Sequence, residues 1–190
     1  MSNYHNHIAI IGAGIAGLAL GCILKKEKIP VVIFEKSINV SDYGAGISIS
    51  QNGIRILKHL SIYNEIVSNS SNPQKAIFFS NDKKITSFDI DVITTSRRVL
   101  YKFLYNKYIS TDGEILFDHE LCDINIDKSE LKFSGDQVYK VKHIAACDGI
   151  KSFCRKKIDY QKEPVYSGYS VWRAIVERKQ NNTHTFLGPN

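Results

Sequence analysis

Three glycines and one acid carry the chemistry that this chain states most directly. Gly12, Gly14 and Gly17 stand in Gly-x-Gly-x-x-Gly spacing, and Glu35 lies 23 residues after the first of them. Each glycine has its own physical reason. Gly12 permits a tight turn, Gly14 lets the backbone approach a pyrophosphate, and Gly17 lets a helix pack close to a sheet. The amides that open the helix, at Ile15, Ala16 and Gly17, then face the phosphates, and the helix dipole favours their negative charge. The Glu35 carboxylate can accept hydrogen bonds from ribose hydroxyls. An acid there disfavours a ribose 2′-phosphate, so FAD or NAD fits better than NADP.

These residues need a frame, because glycines at that spacing also mark ordinary turns. The frame is present. His7-Ile8-Ala9-Ile10-Ile11 reads as a strand entering the turn. Ile15, Leu18, Ala19, Cys22 and Ile23 follow the i, i+3, i+4, i+7, i+8 pattern of a helix with one buried face. Val31-Val32-Ile33-Phe34 is an uninterrupted apolar run, as a strand buried on both faces should be. Strand, turn, helix, strand and acid in that order make a dinucleotide fingerprint. The alternative is a plain βαβ unit with no ligand.

The rest of the composition sets bounds. The chain has 190 residues, 43% of them hydrophobic, enough for a sizeable core. Its net charge of +6 comes from 25 basic and 19 acidic side chains. The bases are spread and no aromatic-basic recognition motif stands out, so a solvated surface is favoured over a nucleic-acid partner. Cys22, Cys122, Cys147 and Cys154 form no Cys-x-x-Cys pair and no zinc spacing. Cys22 and Cys147 sit in apolar runs and read as core thiols. That usage fits a reducing, cytoplasmic compartment. His5 and His7 near the start offer no convincing metal site. No signal peptide and no run of about 20 apolar residues is visible.

Beyond the fingerprint the reading is coarser. Residues 37–43 form a polar connection, followed by Gly44-Ala45-Gly46-Ile47, either a simple glycine loop or a backbone passing something flat. Ile54, Leu57 and Leu60 share a helical face, and residues 61–66 give a second short helix. Residues 75–91 alternate around Asn81-Asp82 as a hairpin. Thr94-Thr95-Ser96 offers caps for a helix carrying Leu100, Phe103, Leu104 and Tyr108, which Asp112-Gly113 ends. A short strand at 114–117 precedes a three-stranded meander over 121–141, turning at Asp127-Lys128 and Ser134-Gly135-Asp136. A strand from His143 then ends in Asp148-Gly149, with Ser152 and Arg155 following at helical spacing. Asp148 either meets a ligand at the sheet's switch point or caps that helix. From Lys162 the chain reads as strand again, through residues 167–176.

Taken in order, these motifs resemble the single-component FAD-dependent aromatic hydroxylases, the group A flavoprotein monooxygenases. Residues 12–35 match that family's first FAD motif, and Gly44-Ala45-Gly46-Ile47 through Asn52 match its flavin-side loop. Arg97-Arg98-Val99-Leu100 occupies the place of its Arg-x-x-Leu, with Val99 where an acid is usual. Asp148-Gly149 with Ser152 and Arg155 matches its Asp-Gly motif. Residues 166–176, with Gly168 and Trp172-Arg173, are similar to the salicylate-hydroxylase branch.

The resemblance implies an α/β fold: a Rossmann-like FAD-binding domain of glutathione-reductase type, βαβ with a β-meander, plus an incomplete, discontinuous β-rich substrate domain. The implied division is 1–72 and 94–160 for the FAD domain, 73–93 and 161–190 for the partial substrate domain. The family's later Gly-Asp-Ala motif is not among these residues. The resemblance thus implies a truncated or inactive form, or one that another chain completes. It implies that NADH or NADPH reduces FAD transiently and that the reduced flavin uses dioxygen to hydroxylate a small aromatic substrate. Glu35 would hold the adenosine ribose, with Lys36 over the adenine end and the Leu121 backbone bordering the adenine. Gly14, Ile15, Ala16 and Gly17 would cradle the pyrophosphate and Asp148 would touch the ribityl–pyrophosphate region. Gly46 would pass near the isoalloxazine, and Arg97 would meet the phosphate or ribityl region. No catalytic acid or base is implied; Ser48 stands where some relatives carry a histidine.

Overall fold

A computed structural model of the chain describes residues 4–39, 46–80, 83–158, 164–170 and 183–187. In chain order its elements are β1 (Tyr4–Ile11), α1 (Ile15–Lys26), β2 (Val31–Phe34), β3 (Gly46–Ile49), α2 (Gln51–His59), α3 (Tyr63–Val67), β4 (Lys75–Ser80), β5 (Lys83–Asp89) and β6 (Ile93–Ser96). There follow α4 (Arg97–Ile109), β7 (Glu114–Leu116), β8 (Leu121–Asn125), β9 (Glu130–Phe133), β10 (Val138–Ala146), α5 (Phe153–Ile158) and β11 (Thr183–Leu187). The chain divides into two units, Met1–Asp42 with Tyr101–Ser170, and Tyr43–Leu100 with Val171–Asn190.

The first unit is built on a mixed six-stranded sheet in the order β7-β2-β1-β10-β9-β8. The four strands from β7 to β10 are parallel, while β9 pairs antiparallel with β10 and β8 antiparallel with β9. The fold class expected from the sequence is therefore present at the level of an α/β unit with a meander. All four residues of β2 are buried, as a strand covered on both faces requires. In α1, Leu18 and Cys22 are buried on the inner face, and Lys25 and Lys26 fill the last turn, where cations suit the dipole. Gly21 makes room for Tyr108. A Cβ at Gly21 would lie 2.8 Å from the Tyr108 ring, whose hydroxyl donates to the Glu114 carbonyl at 3.1 Å. Burial pushes the Tyr108 phenol far up. Under the meander, Phe34 stacks on Phe133 with centroids 4.5 Å apart, within a cluster that includes Tyr4, Leu121, Leu131 and Val141.

One element differs from its sequence reading in an instructive way. The last meander strand and the strand from His143 are a single strand, β10. Its first residues pair antiparallel with β9, and His143 to Ala146 pair parallel with β1. Alternation and small residues looked like two strands because the two ends of β10 face different partners.

The second unit contains the β3–β6 antiparallel pair and a three-stranded sheet, β11-β4-β5. Ile54, Leu57 and Leu60 are buried, as their shared helical face predicts, and Ile62 and Ile66 of the α3 segment are buried with them. The β4–β5 hairpin is present; its tip, Asn81-Asp82, lies outside the described residues. Three expectations are corrected. Residues 46–49 are a strand rather than a loop, because they pair with β6. Thr94 and Thr95 belong to β6, and Ser96 alone caps α4, its hydroxyl accepting the Val99 amide at 3.1 Å. Residues 164–170 form no strand, their exposed Val165, Tyr166 and Tyr169 lacking ladder partners; 171–176 lie outside the described residues.

Candidate functional site

The site is assembled where β1 and β2 end side by side. Gly12 follows β1 with φ of 103°, a left-handed conformation that strains any side chain. Its amide donates to the Phe34 carbonyl at 2.7 Å, tying the turn to the end of β2. A Cβ on Gly12 would lie 2.5 Å from the Cys147 carbonyl oxygen. A Cβ on Gly17 would collide with the Gly12 carbonyl oxygen and crowd Ile10. Gly14 is different in kind. Its φ is −72°, and a Cβ there would meet nothing within 4 Å. Gly12 and Gly17 are glycines for the fold; the space beside Gly14 is left open.

That open side is where α1 begins. The first helical hydrogen bond runs from the Leu18 amide to the Gly14 carbonyl at 2.9 Å. The amides of Ile15, Ala16 and Gly17 precede it and so have no carbonyl within the helix. No side chain caps this end and its first turn carries no acid. The terminus is thus set up electrostatically for an anion.

Glu35, one residue beyond β2, closes the turn from the other side. One carboxylate oxygen accepts the Ala13 amide at 2.7 Å and the other accepts the Ser37 amide at 2.9 Å. Its backbone is held too: the amide donates to Leu116, and the carbonyl accepts the His119 amide, both at 2.9 Å. A carboxylate offers about four acceptor positions, so capacity for ribose hydroxyls remains after these two bonds. Lys36 is exposed. The Asp118 amide donates to Ser37 at 3.2 Å, which anchors the segment leading into Leu121. Leu121 itself is buried against the aromatic cluster.

Asp148 lies at the same edge of the sheet, its Cα 3.3 Å from where a Gly12 Cβ would stand. Its side chain serves α5. One oxygen accepts the Ser152 hydroxyl at 2.6 Å and the other accepts the Cys154 amide at 3.0 Å. Of the two readings open from the sequence, capping is the one this geometry displays. Burial pulls the Asp148 carboxyl upward, but the Ser152 hydroxyl and the Cys154 amide together outweigh it and hold it below the ordinary range. A depressed folded value means stability that is present above the unfolded carboxylate range and lost as pH falls through about 4 and below. Asp148→Asn is expected to flatten that acid limb of the melting temperature, as read by thermal melts at stepped pH; an unchanged limb would exclude the capping account.

The residues taken from the sequence divide as follows. Gly12, Gly14, Ile15, Ala16, Gly17, Glu35, Lys36, Leu121 and Asp148 lie in the first unit, with the glycine turn, Glu35 and the Asp148 backbone brought together. Gly46 and Arg97 lie in the second, where Gly46 pairs with Ser96 and Arg97 is the exposed first residue of α4. Sequence reasoning missed Ala13, Ser37 and His119, which act through backbone amides that any residue type would supply. The cysteine reading is half corrected. Cys22 is buried, and burial lifts its thiol to about 11, but Cys147 is only half-buried where β10 leaves the sheet. Cys154, inside α5, is the second buried thiol, pushed up to about 12. Among the described residues no group of three or more His, Cys, Asp or Glu could hold a metal. No described helix is long and apolar enough to cross a membrane.

Known proteins are similar to this chain in sequence and in fold. Monooxygenase 1 of Arabidopsis thaliana is 28% identical over 197 residues, covering 92% of this chain and 49% of the relative. The 2,6-dihydroxypyridine 3-monooxygenase of Paenarthrobacter nicotinovorans is 23% identical, covering 93% of this chain and 45% of the relative. The chain thus spans about half the length of the curated relatives it matches. Among solved structures, 2-methyl-3-hydroxypyridine-5-carboxylic acid oxygenase superposes with a TM-score of 0.76 at 23% identity, over 82% of this chain and 42% of that one. P. aeruginosa PqsL, solved with 2-aminobenzoylacetate, gives 0.77 at 18% identity, over 86% and 48%. These likenesses show the fold. A family model described as an FAD binding domain matches residues 5–181, and the chain belongs to that family.

Proposed function

We propose that this chain supplies the FAD-binding part of a flavin-dependent monooxygenase that hydroxylates a small aromatic compound, with NADH or NADPH as the transient reductant. The observation that carries the FAD assignment is the Gly14 face: open space, uncapped helix amides and no acid in the first turn, beside a carboxylate with spare acceptor capacity. These residues fit an adenosine diphosphate moiety. The relatives' names, a dihydroxypyridine monooxygenase among them, support the reaction class.

In this reading the amides of Ile15, Ala16 and Gly17 bind the pyrophosphate. Glu35 takes the ribose hydroxyls, with Lys36 and the Leu121 backbone on the adenine side. Asp148 presents its backbone at the sheet edge while its side chain holds α5, so its contribution to the ribityl–pyrophosphate region is one of placement. The roles of Gly46 and Arg97, toward the isoalloxazine and the phosphate or ribityl region, rest on the resemblance alone. So does the division into an FAD domain, 1–72 and 94–160, and a partial substrate domain, 73–93 and 161–190. Bound FAD would supply the redox chemistry; the chain's residues bind it and fix its orientation. Four free thiols fit a reducing compartment such as the cytoplasm.

The test is direct. Protein purified with FAD is expected to be yellow, and saturating FAD should raise the melting temperature by mass action. A colourless protein whose melting temperature ignores FAD would end the assignment. With FAD bound, aromatic-stimulated NADH oxidation would support the monooxygenase reading, and its absence would leave a nucleotide-binding module. Glu35→Ala should weaken FAD binding by about 1–3 kcal/mol, as measured by flavin fluorescence titration.

A further inference from the structure

We infer that Glu35 is also a positioning residue: its carboxylate clasps the glycine turn in its binding shape before any nucleotide arrives. The ribose role rests on the nucleotide reading above, but the clasp does not. Both oxygens are engaged within the protein itself, one by the Ala13 amide at 2.7 Å and one by the Ser37 amide at 2.9 Å. Ala13 lies inside the Gly-x-Gly turn, between the glycine that turns the chain and the glycine that faces open space. Its buried methyl offers no polar group, so the Glu35 carboxylate is what fixes the Ala13 amide. Amides bonded to a carboxylate make charge-assisted hydrogen bonds, roughly twice as strong as neutral ones. The clasp is itself held rigidly, because Glu35 donates to Leu116 and accepts from His119 through its backbone. One side chain thereby joins the end of β1, the end of β2 and the turn at Ser37. The consequence is preorganisation: the turn's ordering cost is met in the free protein rather than at binding.

Amide hydrogen exchange of the nucleotide-free protein, resolved by residue, tests this. The parent should protect Ala13 and Ser37. In Glu35→Ala both amides should exchange about tenfold faster or more, as expected when a hydrogen bond to a charged acceptor is lost. The Gly12 amide, bonded to Phe34, and the His119 amide, bonded to the Glu35 backbone, should keep their protection and show that the sheet is intact. Unchanged exchange at Ala13 would overturn the clasp. Should Glu35→Ala fail to fold, Glu35→Gln offers a milder variant with a single acceptor oxygen. It should then release one of the two amides, and full protection of both would overturn the proposal. Adding ADP to the parent reports separately on the nucleotide reading: new protection at Ile15, Ala16 and Gly17 supports that reading, and its absence counts against it without touching the clasp.

Discussion

Gly17→Ala is expected to destabilise this chain severely, although alanine is the better helix former. The intrinsic gain is about 1 kcal/mol for replacing a helical glycine with alanine. Against it stands a methyl group placed on the Gly12 carbonyl oxygen, with the Ile10 side chain on its other flank. Neither the oxygen nor the helix can yield cheaply. The oxygen belongs to a turn pinned by the Gly12–Phe34 bond, and the helix is locked by buried Leu18 and Cys22. Overpacking of this kind costs roughly 3 kcal/mol or more where backbone must move, a large part of the 5–15 kcal/mol that holds a domain together. Circular dichroism melts of parent and variant measure it directly. A variant that melts within about 2 °C of the parent would show that the strand and helix are less closely packed than described.

Gly14→Val should produce the opposite phenotype three residues away. Its φ of −72° and ψ of −177° are ordinary extended backbone, which a β-branched residue adopts without strain. With nothing within 4 Å of the new Cβ, the substitution starts in open space, and the melting temperature without ligand should stay close to the parent's. The valine would instead occupy the space in front of the α1 amides, so nucleotide binding should fall below detection. The measurement pairs a ligand-free melt with an FAD titration. Parent-like FAD binding by a folded Gly14→Val protein would mean that the glycine turn does not receive the pyrophosphate. The two variants together separate glycine required by packing from glycine required by a ligand.

That separation could not be made from the sequence. The spacing of Gly12, Gly14, Gly17 and Glu35 identified the turn, and apolar periodicity placed α1, β2, the α2–α3 pair and the meander. These features are legible because each depends on local pattern: period, turn residues and caps. What escaped depends on partners distant in the chain. That β10 is one strand follows from its having β9 on one stretch and β1 on another. That residues 46–49 are a strand follows from β6, more than forty residues on. The reason for Gly21 inside α1 is the Tyr108 ring, which lies far along the chain. Asp148 carried two readings in sequence, and only the positions of Ser152 and Cys154 show what its oxygens do. The amide donors at Ala13 and Ser37 left no trace at all, since backbone groups are common to every residue.

The placement of β10 has a consequence for biosynthesis. The strand that flanks β1 at the centre of the sheet is encoded at residues 138–146, after more than two thirds of the chain. While the ribosome is still adding earlier residues, β1 has only β2 beside it, and its other edge is bare. Pairing across such sequence separation is slow, because long loops must close first. The emerging polypeptide therefore passes through a long interval in which an Ile-rich edge awaits its neighbour. During that interval the bare edge is a template for pairing with another chain, and aggregation competes with folding.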